Sequence, residues 1–203
     1  MTCWSCQNAA IPEGTAFCPS CRRIQPPGRG EDHFATLGIA REFAIDPAEL
    51  DQRFRELSRR LHPDRFARAE PRERRISLDR ATRLNDAYRA LRDWRTRAAY
   101  LLRIAGTDVF AEGRTFADPD FLEEQLAFAI ADGDAGALAR IGTDARDRLV
   151  RLEDEVARRF ADERWYSDLN VDLARRLSRA RYYDNIVADA ERASAAARPP
   201  QEL

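Results

Sequence analysis

Two groups of residues in this chain have the types and spacing to do chemistry. Cys3-Trp-Ser-Cys6 and Cys18-Pro-Ser-Cys21 each hold two thiols two residues apart, and eleven residues separate the pairs. A CxxC turn aims both sulfurs at one point, so two such turns face four thiolates onto a common centre, as in tetrahedral Zn²⁺ sites. Iron accepts the same ligands. Four sulfurs leave no open coordination position, which makes the metal structural rather than catalytic. The four cysteines fall within 19 residues, and in a reducing compartment they are not expected to form disulfides. So short a segment has little core, and metal binding would supply most of its folding free energy. The second group is His62-Pro63-Asp64, which sets an imidazole and a carboxylate side by side around a rigid proline.

A hydrolase would use such a histidine as base and the aspartate to orient it. No nucleophile, glycine-rich phosphate loop or open metal site accompanies the pair, and His33 is the only other histidine. The tripeptide is better read as a presented surface. Asp46 to Leu61 has a helical pattern, with Asp46 as N-cap, Pro47 at the first helical position and Glu49 in the first turn. Leu50, Phe54, Leu57 and Leu61 form its apolar stripe, Arg55 and Arg59 point away from it, and Arg53 and Arg60 flank it. Pro63 stops the helix. Ile76, Ala81, Leu84, Tyr88 and Leu91 form the stripe of a following helix, so the two make an antiparallel hairpin with His62-Pro63-Asp64 near its tip and Phe66 beneath. Arg95 to Ala105 is a further helix, stopped by Gly106.

The 203 residues carry 34 basic and 35 acidic side chains, a net charge of −1, which argues against global attraction to nucleic acid or anionic lipid. Every basic side chain is arginine. Residues 53–75 differ from the whole, with nine arginines against four acids, a net +5. The chain is 44% hydrophobic and 34% charged, with a mean hydropathy of −0.60, as suits slender helical domains with wet surfaces. No run of 18 apolar residues is present to span a membrane, and the first cysteine pair leaves no room for a leader peptide; a cytoplasmic setting is expected.

Gln25 to Gly30 is a linker by composition, and Thr107 to Ala117 a second connector. Beyond it, Asp118-Pro119 opens a helix to about Asp132, whose apolar arc approaches 200°, about twice what one core contact needs. A helix over 134–160 has the stripe Leu138, Ile141, Ala145, Leu149, Leu152, Val156 and Phe160. Another, from Trp165 to about Ala190, carries Leu169, Leu173, Leu177, Ile186 and Val187. The expected fold is mainly α: a zinc-ribbon-like knuckle unit over 1–27, a helical hairpin domain over 31–105 and a three-helix bundle over 118–198.

Asp32 to Ile39, the His62-Pro63-Asp64 loop, Leu84 to Leu91 and Arg97 to Leu102 in this order resemble a J domain, the module that brings clients to DnaK-type ATP-driven chaperones. With Phe121-Leu-Glu-Glu-Gln-Leu126 and Arg181-Tyr-Tyr-Asp-Asn-Ile186, the chain resembles the HscB family, J-protein co-chaperones of iron–sulfur cluster assembly. The cysteine unit resembles the N-terminal extension of some members. The resemblance implies a non-enzymatic adaptor. His62, Pro63 and Asp64, with Arg55, Arg59, Arg60 and Arg65, would dock on a DnaK/HscA-type chaperone and stimulate its ATPase. Leu122, Leu126 and Tyr182 would bind an IscU-like cluster scaffold, and Cys3, Cys6, Cys18 and Cys21 would hold Zn²⁺. The alternative is a zinc-ribbon nucleic-acid-binding protein with a J-like hairpin, its arginine-rich segment on phosphate; the near-neutral total charge counts against it.

Overall fold

The computed structural model describes residues 2–7, 10–12, 14–109, 121, 135–161 and 169–196. Its contacts divide the chain into two compact units, Met1–Arg97 and Ala98–Leu203. The helices are α1 (His33–Leu37), α2 (Pro47–Leu61), α3 (Pro71–Arg92), α4 (Trp94–Ile104), α5 (Ala135–Ala161) and α6 (Leu169–Ala196), with a 3₁₀ turn over Pro63–Phe66. Pairing between extended segments is confined, among the described residues, to two isolated antiparallel bridges in the cysteine unit, Thr2 with Ala10 and Phe17 with Ile24. No helix of the described residues is long and apolar enough to cross a membrane.

The first unit is built around α3. Helix α2 starts as its sequence dictates: the Asp46 carboxylate accepts the Ala48 N–H at 2.9 Å, and Pro47 occupies the first turn. Asp32 caps α1 in the same way through the Ala35 N–H, at 2.7 Å. Gly38 ends α1 at φ 67°, ψ 36°, a left-handed conformation that favours glycine, and its N–H returns to the Ala35 carbonyl. Leu50 and Leu61 of α2 are buried, while Phe54 and Leu57 are half-buried. Phe54 stacks on Tyr88 of α3 with ring centroids 4.1 Å apart, and the Tyr88 hydroxyl donates to Asp51 at 2.6 Å.

The buried line of α3 differs from the stripe expected for it. Ile76, Ser77, Arg80, Leu84, Ala87 and Leu91 are buried, whereas Ala81 and Tyr88 are half-buried. The expected stripe contained only apolar residues, but position 80, four after Ile76 and four before Leu84, belongs on the same face. The Arg80 side chain is 4% exposed and lies beside Glu31, 1% exposed, at 3.2 Å. Its Nε donates to the Gln25 carbonyl at 2.6 Å, and Nη2 donates to the carbonyls of Thr15 and Pro26 at 3.2 and 3.1 Å. Burial holds the guanidinium pKa below its ordinary value, with Glu31 offsetting part of that effect.

The 25–30 stretch is therefore no free tether at its start. Gln25 is buried and Pro26 half-buried, with their carbonyls bonded to α3. The other end of the cysteine unit is also held. Arg23 pairs with Glu70 and Glu73 at 3.0 and 3.5 Å, and the Arg72 guanidinium lies 4.4 Å from the Trp4 ring centroid. Gly14, at φ 75°, passes so near α1 that a Cβ there would sit 2.8 Å from the Ala35 carbonyl oxygen.

In the second unit α5 and α6 pack together. Ala145, Leu152 and Val156 are buried on α5; Leu173, Ala174, Leu177, Ala180, Tyr183, Ile186 and Ala190 are buried on α6. Alanines and Gly142 let the backbones approach: a Cβ on Gly142 would stand 2.6 Å from that of Ala190. Helix α5 matches the expected 134–160 to within a residue at each end, while α6 runs past the expected Ala190 to Ala196. Trp165, the expected start, and the helix expected over 118–132 lie outside the described residues, apart from Phe121. Phe121 is buried against Tyr182 and Tyr183 in edge-on contacts at 5.0 and 5.8 Å.

Candidate functional site

The cysteines converge as their spacing implies. In each pair the peptide N–H groups turn towards the first sulfur: those of Ser5 and Cys6 reach Cys3 Sγ at 3.4 and 3.5 Å, and that of Cys21 reaches Cys18 Sγ at 3.5 Å. The turns close with Gln7 N–H on the Cys3 carbonyl and Arg22 N–H on the Cys18 carbonyl, which puts Gln7 and Arg22 at φ 57° and 60°. The four Sγ atoms lie within 4.8 Å of one another. Cys3 Sγ is 3.7 Å from Cys21 Sγ, and Cys6 Sγ is 3.8 Å from Cys18 Sγ. Zn–S bonds of about 2.3 Å in a tetrahedron give an S–S edge of about 3.8 Å, so the donor set fits the ion, and it is far too open for a disulfide of about 2.05 Å.

Charge at the sulfurs agrees. Burial pushes the Cys3 thiol up, but N–H donation from Cys6 and Ser5 and the thiols of Cys6 and Cys18 outweigh it and bring the pKa down to about 6. Cys18 is lowered chiefly by the Cys21 N–H, against burial. Thiolates bind the metal. The unit's own core is little more than Cys3, Ile11 and Cys18 with Cys6 and Cys21 against them. Cys3, Cys6, Cys18 and Cys21 thus form a structural Zn²⁺ site, which the ion would hold closed.

His62 ends α2 and begins the 3₁₀ turn, at φ −56°, ψ 130°, the extended region that proline imposes on its predecessor. Its Nδ1 accepts the Asp64 N–H at 3.3 Å and lies 3.4 Å from the Asp64 carboxylate. A neutral imidazole that accepts at Nδ1 carries its proton on Nε2. The Arg65 N–H returns to the His62 carbonyl at 3.0 Å, and Ser77 of α3 donates to the Leu61 carbonyl at 2.7 Å. The backbone of the loop is thereby tied down, yet the side chains of His62 and Asp64 are 58% and 90% exposed. Phe66, expected beneath the loop, is half-buried.

The arginines around the loop divide by their partners. Arg55, Arg59 and Arg65 are exposed and have no carboxylate partner among the described residues. Arg60 pairs with Glu56 at 3.4 Å, and its guanidinium lies 5.0 Å from the Phe17 ring centroid. Of the three residues expected on the bundle, Tyr182 is half-buried beside Phe121, and Leu122 and Leu126 lie outside the described residues. The loop, its arginines and the cysteine unit all belong to the first unit, while Tyr182 belongs to the second.

Sequence reasoning missed the residues that join the cysteine unit to the hairpin: Trp4, Phe17, Arg23 and Arg80. The Trp4 indole donates to the Ile24 carbonyl at 2.6 Å. A signal existed for Arg80 alone, its place on a buried stripe.

No family model matches the chain. It is 38% identical over 138 residues to the Co-chaperone protein HscB homolog of Bordetella pertussis, covering 66% of this chain and 81% of that protein. The homolog of Paraburkholderia xenovorans is 40% identical over 131 residues, covering 64% and 74%. Among solved structures, human co-chaperone protein HscB superposes with a TM-score of 0.83 at 27% identity, covering 97% of this chain and 100% of that one. That coverage leaves too few residues over for the cysteine unit to lie outside the match. HscB from Vibrio cholerae superposes with a TM-score of 0.67 at 27% identity, covering 81% and 98%.

Proposed function

Since the chain belongs to the HscB family of co-chaperones, we propose that its exposed His62-Pro63-Asp64 loop docks on the partner ATPase and its C-terminal helices on the cluster scaffold. The protein is a J-domain co-chaperone that assists an HscA/DnaK-type ATPase in iron–sulfur cluster assembly, and hydrolysis takes place in the partner. The observation that carries the docking assignment is the fixed backbone beneath two exposed side chains, His62 and Asp64. A surface held in one conformation loses little entropy on binding. Arg55, Arg59 and Arg65 supply unpaired positive charge next to it, which speeds encounter with an acidic partner and fixes orientation. Stimulation then needs tighter binding to the hydrolysing conformation than to the resting one; a tenfold acceleration takes about 1.4 kcal/mol of such difference.

The scaffold is of IscU type, and Leu122, Leu126 and Tyr182 bind it. The partial exposure of Tyr182 beside Phe121 supports this reading, as does the over-wide apolar arc of the 118–132 sequence. The chain works in the cytoplasm, where four thiols stay reduced until metal binds.

Two variants test the assignments. His62→Gln is expected to abolish stimulation of the partner ATPase while changing stability by no more than about 0.5 kcal/mol, since the side chain is exposed. Stimulation equal to wild type would refute the loop assignment. Replacing Leu122, Leu126 and Tyr182 together by alanine is expected to weaken scaffold binding at least about tenfold, or about 1.4 kcal/mol, with melting unchanged. Early melting instead would assign these side chains to the bundle core.

A further inference from the structure

The second cysteine knuckle and the end of α2 share a cleft of about 560 Å³. Its walls include Phe17, Pro19 and Arg22 from the knuckle, and Arg60, Arg65 and Phe66 from the end of α2 and the 3₁₀ turn. Three guanidinium groups and two half-buried rings line it, and no carboxylate does. Arg22 and Arg65 have no carboxylate partner among the described residues, and Arg60 has only the half-buried Glu56. Arg22 is held there by metal-site geometry, because its N–H closes the knuckle on the Cys18 carbonyl at 2.9 Å and fixes its φ at 60°.

We infer that this cleft extends the ATPase-docking surface, and that the cysteine unit receives a carboxylate-bearing segment of the same ATPase that engages the His62-Pro63-Asp64 loop. Continuity carries the assignment. Arg65 follows Asp64 directly and lines the cleft, so a protein surface covering the loop reaches Arg65 and meets Arg22 across the same opening. Charge selects acidic side chains. Aromatic rings interleaved with arginines have the composition of protein–protein contact centres. The zinc site thereby becomes part of recognition: without metal the knuckle opens and Arg22 loses its position.

The inference rests on the ATPase-docking reading above, and the experiment separates the two. Arg22→Gly removes the charge and suits the left-handed backbone, so the fold is spared. Affinity of the full chain for the purified ATPase is titrated for wild type, Arg22→Gly, His62→Gln and Arg140→Gln. The last removes one exposed charge from α5 in the other unit. At about 0.05 M salt Arg22→Gly is expected to bind about threefold more weakly, with the gap narrowing at about 0.3 M salt as screening grows. Arg140→Gln is expected to match wild type. Equal affinity of Arg22→Gly and wild type, with His62→Gln still inactive in stimulation, overturns the inference and leaves the docking reading standing. A loss as large in Arg140→Gln, or one insensitive to salt, also overturns it, as does a loss found for nucleic acid but not for the ATPase. If His62→Gln stimulates fully, the docking reading itself fails.

Discussion

Replacing Arg80 by methionine should damage this protein more than any change at its exposed loop. The wild-type guanidinium makes four close polar contacts, at 2.6 and 3.1 Å to the carbonyls of Gln25 and Pro26, and at 3.2 Å to Thr15 and to Glu31. Charge-assisted bonds contribute about 1.5–3 kcal/mol each, so four would total about 6–12 kcal/mol if independent. Desolvating a guanidinium takes back several kcal/mol, so the pair's net contribution is far smaller. Truncation is different, because it leaves the Glu31 carboxylate, 1% exposed, without its counter-charge. Breaking a buried pair from one side costs about 3–5 kcal/mol, and we expect about 4 kcal/mol for Arg80→Met. That is a large share of the roughly 5–15 kcal/mol that holds an ordinary domain together. Urea unfolding of the full chain measures it. Limited proteolysis gives a second readout, since release of the Gln25 and Pro26 carbonyls should open the chain to cleavage at Arg29. Adding Glu31→Gln should restore about 2 kcal/mol, because a neutral amide can still accept the Gly28 N–H that now bonds the carboxylate at 2.9 Å. An Arg80→Met protein within about 0.5 kcal/mol of wild type, or a double variant no better than the single, would refute the reasoning.

Two further outcomes are expected. Removing metal with a chelator should release about one zinc per chain and shift one of the three indole resonances, that of Trp4, which bonds Ile24 and lies against Arg72, while helical circular dichroism changes little; an unmoved Trp4 resonance would show that the unit stands without metal. At Asp93, burial raises the carboxyl pKa, but the Arg95 guanidinium and the N–H groups of Thr96 and Arg95 outweigh it, so the group titrates below its ordinary 3.8. A depressed carboxylate contributes stability above its unfolded pKa and loses it as pH falls through the folded one. Asp93→Asn should therefore be less stable than wild type at pH 7 by about 0.5–1 kcal/mol, a figure discounted for partial exposure, with the two converging below pH 3.8; a gap that persists in acid would refute the charge as its cause.

What the sequence made legible follows the range of the interactions involved. The cap of α2 and the stop at Pro63 depend on residues within a few positions, and the cysteines converge within a span of 19, so their spacing carries them. Helix α4 ends as expected, with Gly106 at φ 91° and its N–H on the Arg103 carbonyl. The attachment of the cysteine unit was not legible. Composition marked Gln25 to Gly30 as a linker, yet the carbonyls that fix it find their donor on a side chain about fifty residues away. Backbone carbonyls look alike in any sequence, and no local rule says which arginine will reach them. Arg80 hid for the related reason that an apolar stripe was sought, and a charged residue inside one reads as a gap. The loop's exposure was legible because it stands at a hairpin tip, whereas the cleft beside it needs Phe17 and Arg60 in contact, which spacing cannot supply.

The Arg80 clamp also orders events during synthesis. The ribosome delivers Cys21 well before Arg80, and at roughly 5–20 residues per second the interval is about 3–12 s. Arg80 trails Cys21 out of the tunnel by the same interval, so the four thiols stand outside while neither α3 nor its guanidinium is there to hold their segment. Metal capture, a local event over 19 residues, can thus precede the long-range closure that needs the Thr15, Gln25 and Pro26 carbonyls together. A nascent chain that has already bound its ion offers Arg80 a preformed surface when α3 emerges. One that has not must pair the late-arriving guanidinium with a disordered segment, at a further entropic cost. Metal supply in the first seconds of a chain's life would therefore set how often the hairpin closes on a finished partner.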